Sequence, residues 1–183
     1  MPFNKEIIVV DDNSNDETTD VVKRLANKYG NIRLLIRPCK MGIGSAYRDG
    51  FRLSHGDIIV QIDGDLSHDP RELPKLIKSL ENSDLVIGSR YIRGGYIVSW
   101  TLFRRLLSSG ANLLVKLMLG LRIRDCTSGY RAYRRQAFKR IIRLSRVDGF
   151  AIQVETAYIA NRLGYRIAEV PCSFIDRKKE SPS

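Results

Sequence analysis

Histidine and cysteine are scarce: the chain has two of the first and three of the second. Cys39, Cys126 and Cys172 are widely spaced and odd in number, which argues against a disulfide framework or a paired-cysteine zinc site and favours a reducing compartment. His55 and His68 are too few for a histidine-built metal centre, and His68, close behind Asp65, reads as a loop or capping residue. No Gly-x-Ser-x-Gly elbow is present, so hydrolytic triads are poor bets. A Walker loop is absent as well, and Gly42-Ile43-Gly44 lacks the third glycine of the dinucleotide fingerprint. Long apolar runs are missing: the most apolar stretch, Ala111 to Leu121, is broken by Lys116 and is too short to span a bilayer. No repeat, low-complexity tract or Pro/Gly/Ser linker divides the chain.

Acid is scarce in one half only. Residues 1–92 hold 13 Lys/Arg against 14 Asp/Glu, whereas residues 93–183 hold 18 against 6, so the whole net charge of +11 lies in the second half. Such a half suits an anionic partner: a nucleic acid, an anionic membrane surface or a phosphorylated substrate. A solvated basic face is the plain alternative. The 183 residues, 43% hydrophobic and 28% charged, suffice for one soluble globular domain and little more.

The first half alternates between element types. Glu6 to Val10 is a β-branched run of the kind found in strands buried on both faces, and it ends in Asp11-Asp12. Asn13 to Asp16 supplies turn and cap residues, and Thr18 to Tyr29 places Val21, Val22, Leu25 and Ala26 at helical spacing. Arg33 to Ile36 reads as a strand, Gly44 to Ser54 as a helix, and Asp57 to Ile62 as a strand running into Asp63-Gly64-Asp65. Pro70 to Leu80 is helical and Leu85 to Gly88 extended. This order predicts an α/β fold, a mostly parallel sheet with helices on both faces, whose ligands bind beyond the carboxyl ends of the strands.

Both acidic clusters should therefore open on one edge of the sheet. A carboxylate pair separated by one small residue can place one oxygen on a hard cation and another on a ligand hydroxyl, while Gly64 permits close backbone approach. Either cluster alone is more simply a set of caps and turns. Two on one edge favour a ligand site.

In chain order, EIIVVDDNSND, RPCKMGIGSAYRDGF, DIIVQIDGDLSHDPREL, DLVIGSRY, the Gly94-Gly95 to Trp100 stretch, RRLLSSGANLL, RDCTSGYRAYRR and VPCSFIDRKK resemble glycosyltransferase family 2 with the GT-A fold. More narrowly they resemble its dolichol-phosphate (polyprenol-phosphate) mannose synthases. The resemblance covers nearly the whole chain and implies transfer of mannose, with inversion, from GDP-mannose to a dolichyl or polyprenyl monophosphate. It implies Mg²⁺ or Mn²⁺ with Asp65 as main ligand, Asp63 on the metal or the nucleotide sugar, Gly64 in backbone contact, and Ser67 where some members carry a glutamine ligand. Val10 and Asp12, with Asp11 beside them, fall on the base and ribose contacts. Arg90 and Arg177 align with phosphate-contacting arginines and Arg105 is a third candidate, while Ser128, Gly129, Arg131 and Lys178 are expected around the acceptor phosphate.

Arginine suits those places because its planar fork grips phosphate oxygens in a bidentate way. The acceptor is already an anion, so positioning matters more than a strong base. Leu106, Leu107, Leu113, Leu114, Leu117, Met118 and Leu121 form an apolar helical surface, part core and part expected membrane interface. Arg122, Arg124, Arg134, Arg135, Lys139 and Arg140 are either a solvated face or headgroup contacts. The resemblance further implies a peripheral position on the cytoplasmic face of a membrane and a possible membrane-anchoring subunit.

Relatives of this kind begin with another strand and a Pro-x-Tyr-Asn-Glu loop, so residues 1–183 are expected to form a single GT-A domain incomplete at its N-terminus. Residues 93–183 would be its basic acceptor- and membrane-facing half. After Arg177-Lys178-Lys179 the family continues Gly-Glu-Ser-Lys where this chain reads Glu-Ser-Pro-Ser. Two other readings fit within the fold: a UDP-glucose-dependent transferase, and a catalytically impaired paralogue. A nucleic-acid module would fit the charge but lacks RNP, zinc or helix-turn-helix patterns and leaves Asp63 and Asp65 unexplained; no nucleic-acid partner is expected.

Overall fold

The computed structural model describes residues 4–98 and 100–176. The β-branched run near the start forms strand β1 (Ile7–Asp11), and helix α1 (Thr18–Tyr29) leads to β2 (Ile32–Ile36), which pairs parallel with β1. Gly30, at φ 70°, ends α1 in the left-handed conformation that glycine adopts without a Cβ penalty. Helix α2 (Ile43–Leu53) returns the chain to the starting side of β1, where the Glu6 carboxylate accepts from the Gly56 amide at 2.9 Å just before β3 (Ile58–Gln61). β1 and β3 thus set out from the same side, and their acidic ends leave on the other.

A 3₁₀ turn, Pro70–Glu72, capped by the Asp69 side chain, leads into α3 (Leu73–Ser79), so the expected helix over 70–80 opens with a tighter first turn. Then follow β4 (Leu85–Ser89), the short β5 (Tyr96–Val98), α4 (Leu102–Leu119), β6 (Arg131–Arg134) and α5 (Arg135–Leu144). Helix α6 (Ile152–Arg162), β7 (Ile167–Pro171) and β8 (Ser173–Ile175) complete the described fold.

Four strands form one sheet in the order β3-β6-β4-β7, with β6 antiparallel to both its neighbours and β4 parallel to β7. β5 pairs parallel with β8, so three of the five strand pairings among the described residues are parallel. Every residue of β4 is buried. On one face of this sheet Leu85, Ile87 and Tyr133 pack with Phe138, Ile141, Ile152 and Ala157 of α5 and α6; on the other, Val86 and Ala132 pack with Leu76 of α3. Helices therefore cover both faces.

β1 departs from expectation. It reads as a strand buried on both faces, yet Ile7 is exposed and Ile8 to Val10 are only half-buried. Among the described residues β1 pairs with β2 alone, and its cover is chiefly α2, whose Gly50 lies so close that a Cβ there would come within 3.2 Å of Val10 Cγ2.

Candidate active site

At the end of β1 the two aspartates take different tasks. Buried Asp11 closes the turn: its carboxylate accepts from the Ser14 amide at 2.9 Å and the Ser14 hydroxyl at 2.6 Å, across Asn13 at φ 62°. Asp12 instead accepts from Arg37 Nε at 2.6 Å and pairs with the same guanidinium through Nη2. Arg37 is almost fully buried and also donates to Ser45 Oγ at 2.5 Å and to the Gly42 carbonyl at 3.1 Å. It escaped the sequence reading. The available signal was an arginine placed directly after the second strand, opposite an acidic strand end.

Asp63 and Asp65 flank Gly64 at the end of β3. Asp65 Oδ1 accepts from the Ser67 amide at 3.0 Å and the Ser67 hydroxyl at 2.5 Å, which fixes that carboxylate against its own loop. Leu66 between them is held at φ 62° with 81% of its surface exposed, a conformation that costs a non-glycine residue energy. The loop is stitched to β8, since Ile175 N donates to the Ser67 carbonyl at 2.9 Å.

His68, expected as a loop or capping residue, lies at this site. It is buried, its ring lies tilted against Tyr130 at 5.0 Å and edge-on to Phe174 at 5.3 Å, and its Nε2 stands 3.8 Å from Asp63 Oδ2. Burial, and then the positive charge of Arg90, push its pKa down to about 4, so the imidazole is neutral at pH 7.

The Thr127–Arg131 segment comes up beneath Asp63. A Cβ on Gly129 would sit 3.3 Å from Asp63 Oδ2 and 3.4 Å from Gln153 Nε2, so glycine permits the close approach. Buried Gln153, at the start of α6, donates to the Tyr47 hydroxyl of α2 at 2.8 Å. Burial, followed by the charge of Asp63, raises the pKa of that hydroxyl. Gln61 Nε2, His68 Nδ1 and Gln153 Oε1 are buried without a hydrogen-bond partner among the described residues. The floor of the site is accordingly polar and held from α2, β3, β6 and α6.

The arginines sort by burial. Arg90 is buried against Asp125, donating through Nε at 2.8 Å and Nη2 at 2.7 Å, with a further bond to Thr127 Oγ1 at 2.8 Å. Burial opposes both charges, but hydrogen bonding and attraction within the pair outweigh it: Asp125 is held below its ordinary pKa and Arg90 above. Arg131 is fully buried and donates to the carbonyls of Ser128 and Cys126, both at 2.8 Å, and to Thr156 Oγ1 at 3.0 Å. Its guanidinium therefore braces the loop from inside instead of facing an acceptor, and buried Ser128 shares that role by accepting from the Tyr130 amide at 3.3 Å. Arg105 is exposed on α4 and donates to the Ile97 carbonyl. Val10 lies half-buried in β1. Arg177 and Lys178 lie outside the described residues.

The donor set suits a hard cation. Two carboxylates stand one residue apart on a half-buried loop, and apart from those two neighbours nothing among the described residues lies within 4 Å of a Cβ placed on Gly64. No group of three or more His, Cys, Asp or Glu forms a ready-made cage among the described residues. Mg²⁺ and Mn²⁺ are commonly held by one or two carboxylates together with substrate phosphates.

Residues 2–142 match the family model of glycosyl transferase family 2. An undecaprenyl-phosphate mannosyltransferase of Micrococcus luteus is 41% identical over 178 residues, covering 94% of this chain and 73% of that protein. A polyprenol monophosphomannose synthase of Mycolicibacterium smegmatis is 39% identical over 179 residues, covering 94% and 67%. Among solved structures, glucosyl-3-phosphoglycerate synthase from Mycobacterium tuberculosis, with phosphoglyceric acid, superposes with a TM-score of 0.67 at 23% identity. Its complex with Mn²⁺ and UDP-glucose gives 0.64 at 23%. The chain spans 62% and 60% of those two structures while 97% and 96% of it is covered, a likeness of fold.

Proposed function

We propose that this chain, which belongs to glycosyl transferase family 2 and carries its GT-A fold, transfers mannose from GDP-mannose to a polyprenyl monophosphate. The observation that carries the reading is a pair of relatives, at 41% and 39% identity over 94% of the chain, that act on polyprenyl phosphates by name. An acceptor phosphate oxygen bonds to the anomeric carbon, the bond from that carbon to the donor diphosphate breaks, and GDP leaves with the electron pair. Attack opposite the leaving group inverts the anomeric centre.

A phosphate monoester is ionised at neutral pH, so no side chain need remove a proton to create the nucleophile. The chain's task is alignment and charge. Asp65 and Asp63 would hold Mg²⁺ or Mn²⁺, which supplies Lewis-acid stabilisation of the leaving diphosphate. Ser67 fixes the Asp65 carboxylate in its loop. Neutral His68, 3.8 Å away, and Gly129, which leaves room for the carboxylate, border Asp63 without adding charge. Asp12, oriented by Arg37, and Val10 form the nucleoside side of the site. Arg105, together with Arg177 and Lys178, stands as the cationic contact to phosphate, while Arg90 and Arg131 act by bracing the acceptor loop. The reading places the protein peripherally on the cytoplasmic face of a membrane, where a soluble donor meets a lipid acceptor.

Phosphorus NMR tests the reaction. With GDP-mannose, Mn²⁺ and a polyprenyl phosphate in detergent, the phosphomonoester resonance should give way to a phosphodiester as GDP appears. A diester formed from UDP-glucose but not GDP-mannose would overturn the donor, and no diester from either would overturn the reaction.

A further inference from the structure

We infer that Gln153 selects the chemical class of the acceptor: its neutral amide, set below Asp63 and the acceptor loop, receives a nucleophile that arrives as an anion and offers an alcohol no base. Gly129 carries the geometry. The position a Cβ would take on that glycine lies 3.3 Å from Asp63 Oδ2 and 3.4 Å from Gln153 Nε2, so carboxylate and amide approach each other with room only for glycine between them. Gln153 is 4% exposed. It donates to the Tyr47 hydroxyl at 2.8 Å, while its Oε1 is buried with no hydrogen-bond partner among the described residues. An amide left half-satisfied in the interior costs stability, and methionine, equally unbranched, would fill the place without that cost. Packing therefore does not account for Gln153.

Charge accounts for it. The side chains that reach under Asp63 from α2, β3 and β6 are Tyr47, Gln61 and Tyr133, with the Tyr133 hydroxyl donating to Gln61 Oε1 at 3.2 Å. An amide and two phenols leave this floor without a second carboxylate. Arg131 supplies a positive charge from within: it is fully buried, and its bonds to the Ser128 and Cys126 carbonyls and to Thr156 Oγ1 all end on neutral oxygens. Thr156 stands one turn along α6 from Gln153, and its hydroxyl donates to the Gln153 carbonyl at 3.2 Å. A carboxylate at position 153 would thus lie beside Asp63 and one turn from the partner of Arg131. It would repel an incoming phosphate and offset the attraction that the buried guanidinium exerts on it. An alcohol has the opposite need, since a base must take its proton as it attacks, and an amide cannot serve. The role rests on the transferase reading above and adds what makes its acceptor a phosphate.

Two substitutions separate charge from shape. Gln153→Glu keeps an oxygen that can accept from the Tyr47 hydroxyl but brings a negative charge, whereas Gln153→Met loses the bond and stays neutral. Binding of a short isoprenyl monophosphate, and of the matching isoprenyl alcohol, is measured by calorimetry with Mn²⁺ and GDP at about pH 8.5, where a carboxyl raised by burial still ionises. The wild type should bind the phosphate better than the alcohol. Gln153→Glu should weaken phosphate binding roughly tenfold or more and Gln153→Met less than about threefold, with alcohol binding alike in all three proteins. In turnover with GDP-mannose, the loss in Gln153→Glu should fall on the acceptor KM more than on kcat, and free mannose released by water should rise relative to mannose transferred. Equal losses in the two variants, or a larger loss in Gln153→Met, would make Gln153 a structural residue and overturn the assignment, as would a wild type that binds the alcohol as well as the phosphate. The wild-type preference and the Gln153→Met result remain decisive whether or not circular dichroism shows the glutamate variant folded. The expected binding pattern without any sugar transfer would leave acceptor selection standing and remove the proposed reaction instead.

Discussion

At the residue scale, identical side chains do different work according to burial. Arg90 and Asp125 form a buried, bidentate pair, and removing one member of such a pair typically costs about 3–5 kcal/mol because the other is left charged in the interior. Asp125→Asn should accordingly lower the denaturation midpoint markedly at pH 7. Its pH dependence has a definite sign: a carboxyl held below its ordinary value contributes stability that is complete above that value, 3.8, and is lost as pH falls through the lower folded value. The gap between wild type and variant should be widest at neutral pH and close on acidification, as urea titrations across that range would measure. Asp65 belongs to the chemistry instead. Asp65→Asn should lower sugar transfer by about two orders of magnitude or more with little change in melting temperature, the loss expected when several kcal/mol of charge stabilisation disappear. Equal rates with and without a chelator would separate Asp65 from any metal. Arginine was the residue type least legible in the sequence, because Arg37, Arg90 and Arg131 differ from Arg105 only in what surrounds them.

Elements differ in how openly the sequence announces them. The β-branched runs at 6–10, 57–62 and 85–88 and the helix at 18–29 are found within a residue or two of their expected places, since hydrophobic period and turn residues mark them locally. Strand β6 is the counter-example. No strand is expected at 131–134, where Arg131 is placed near the acceptor phosphate and Arg134 on a basic face, yet the segment enters between β3 and β4. What makes it a strand is long-range: its backbone pairs with β3 and β4, Arg131 reaches Thr156, and Arg134 donates to the carbonyls of Leu80 and Ser83. His68 was obscured in the same way, its burial depending on Tyr130 and Phe174 from distant segments. The loop preceding β6 depends on α4 through Asn112. Asn112→Ala leaves the Cys126 amide without its partner and should cost about 1–3 kcal/mol, visible as a lower urea midpoint at unchanged slope. A midpoint equal to wild type would mean that the loop finds other support.

Across the whole molecule, stability is distributed unevenly. β4 is wholly buried and packed on both faces, whereas α1 contributes no buried residue and β1 leaves Ile7 exposed. Hydrogen exchange followed by mass spectrometry should find residues 7–36 opening well before 85–89 and 131–142, because local opening follows buried contact. Uniform protection would contradict that picture. Charge is unevenly spread as well: an acid-bearing first half presents Asp12, Asp63 and Asp65, and a basic second half carries α4 and its outward leucines. Together they suit a soluble, metal-bound nucleotide sugar on one side and an anionic lipid on the other. The most direct test is to incubate the protein with Mn²⁺, radiolabelled GDP-mannose and polyprenyl phosphate in anionic vesicles, and to count label extracted into organic solvent. The account predicts label in the organic phase that depends on the polyprenyl phosphate, is abolished by chelator and is strongly reduced in Asp65→Asn. Label that stays aqueous, or reaches the organic phase equally with Asp65→Asn, would contradict it.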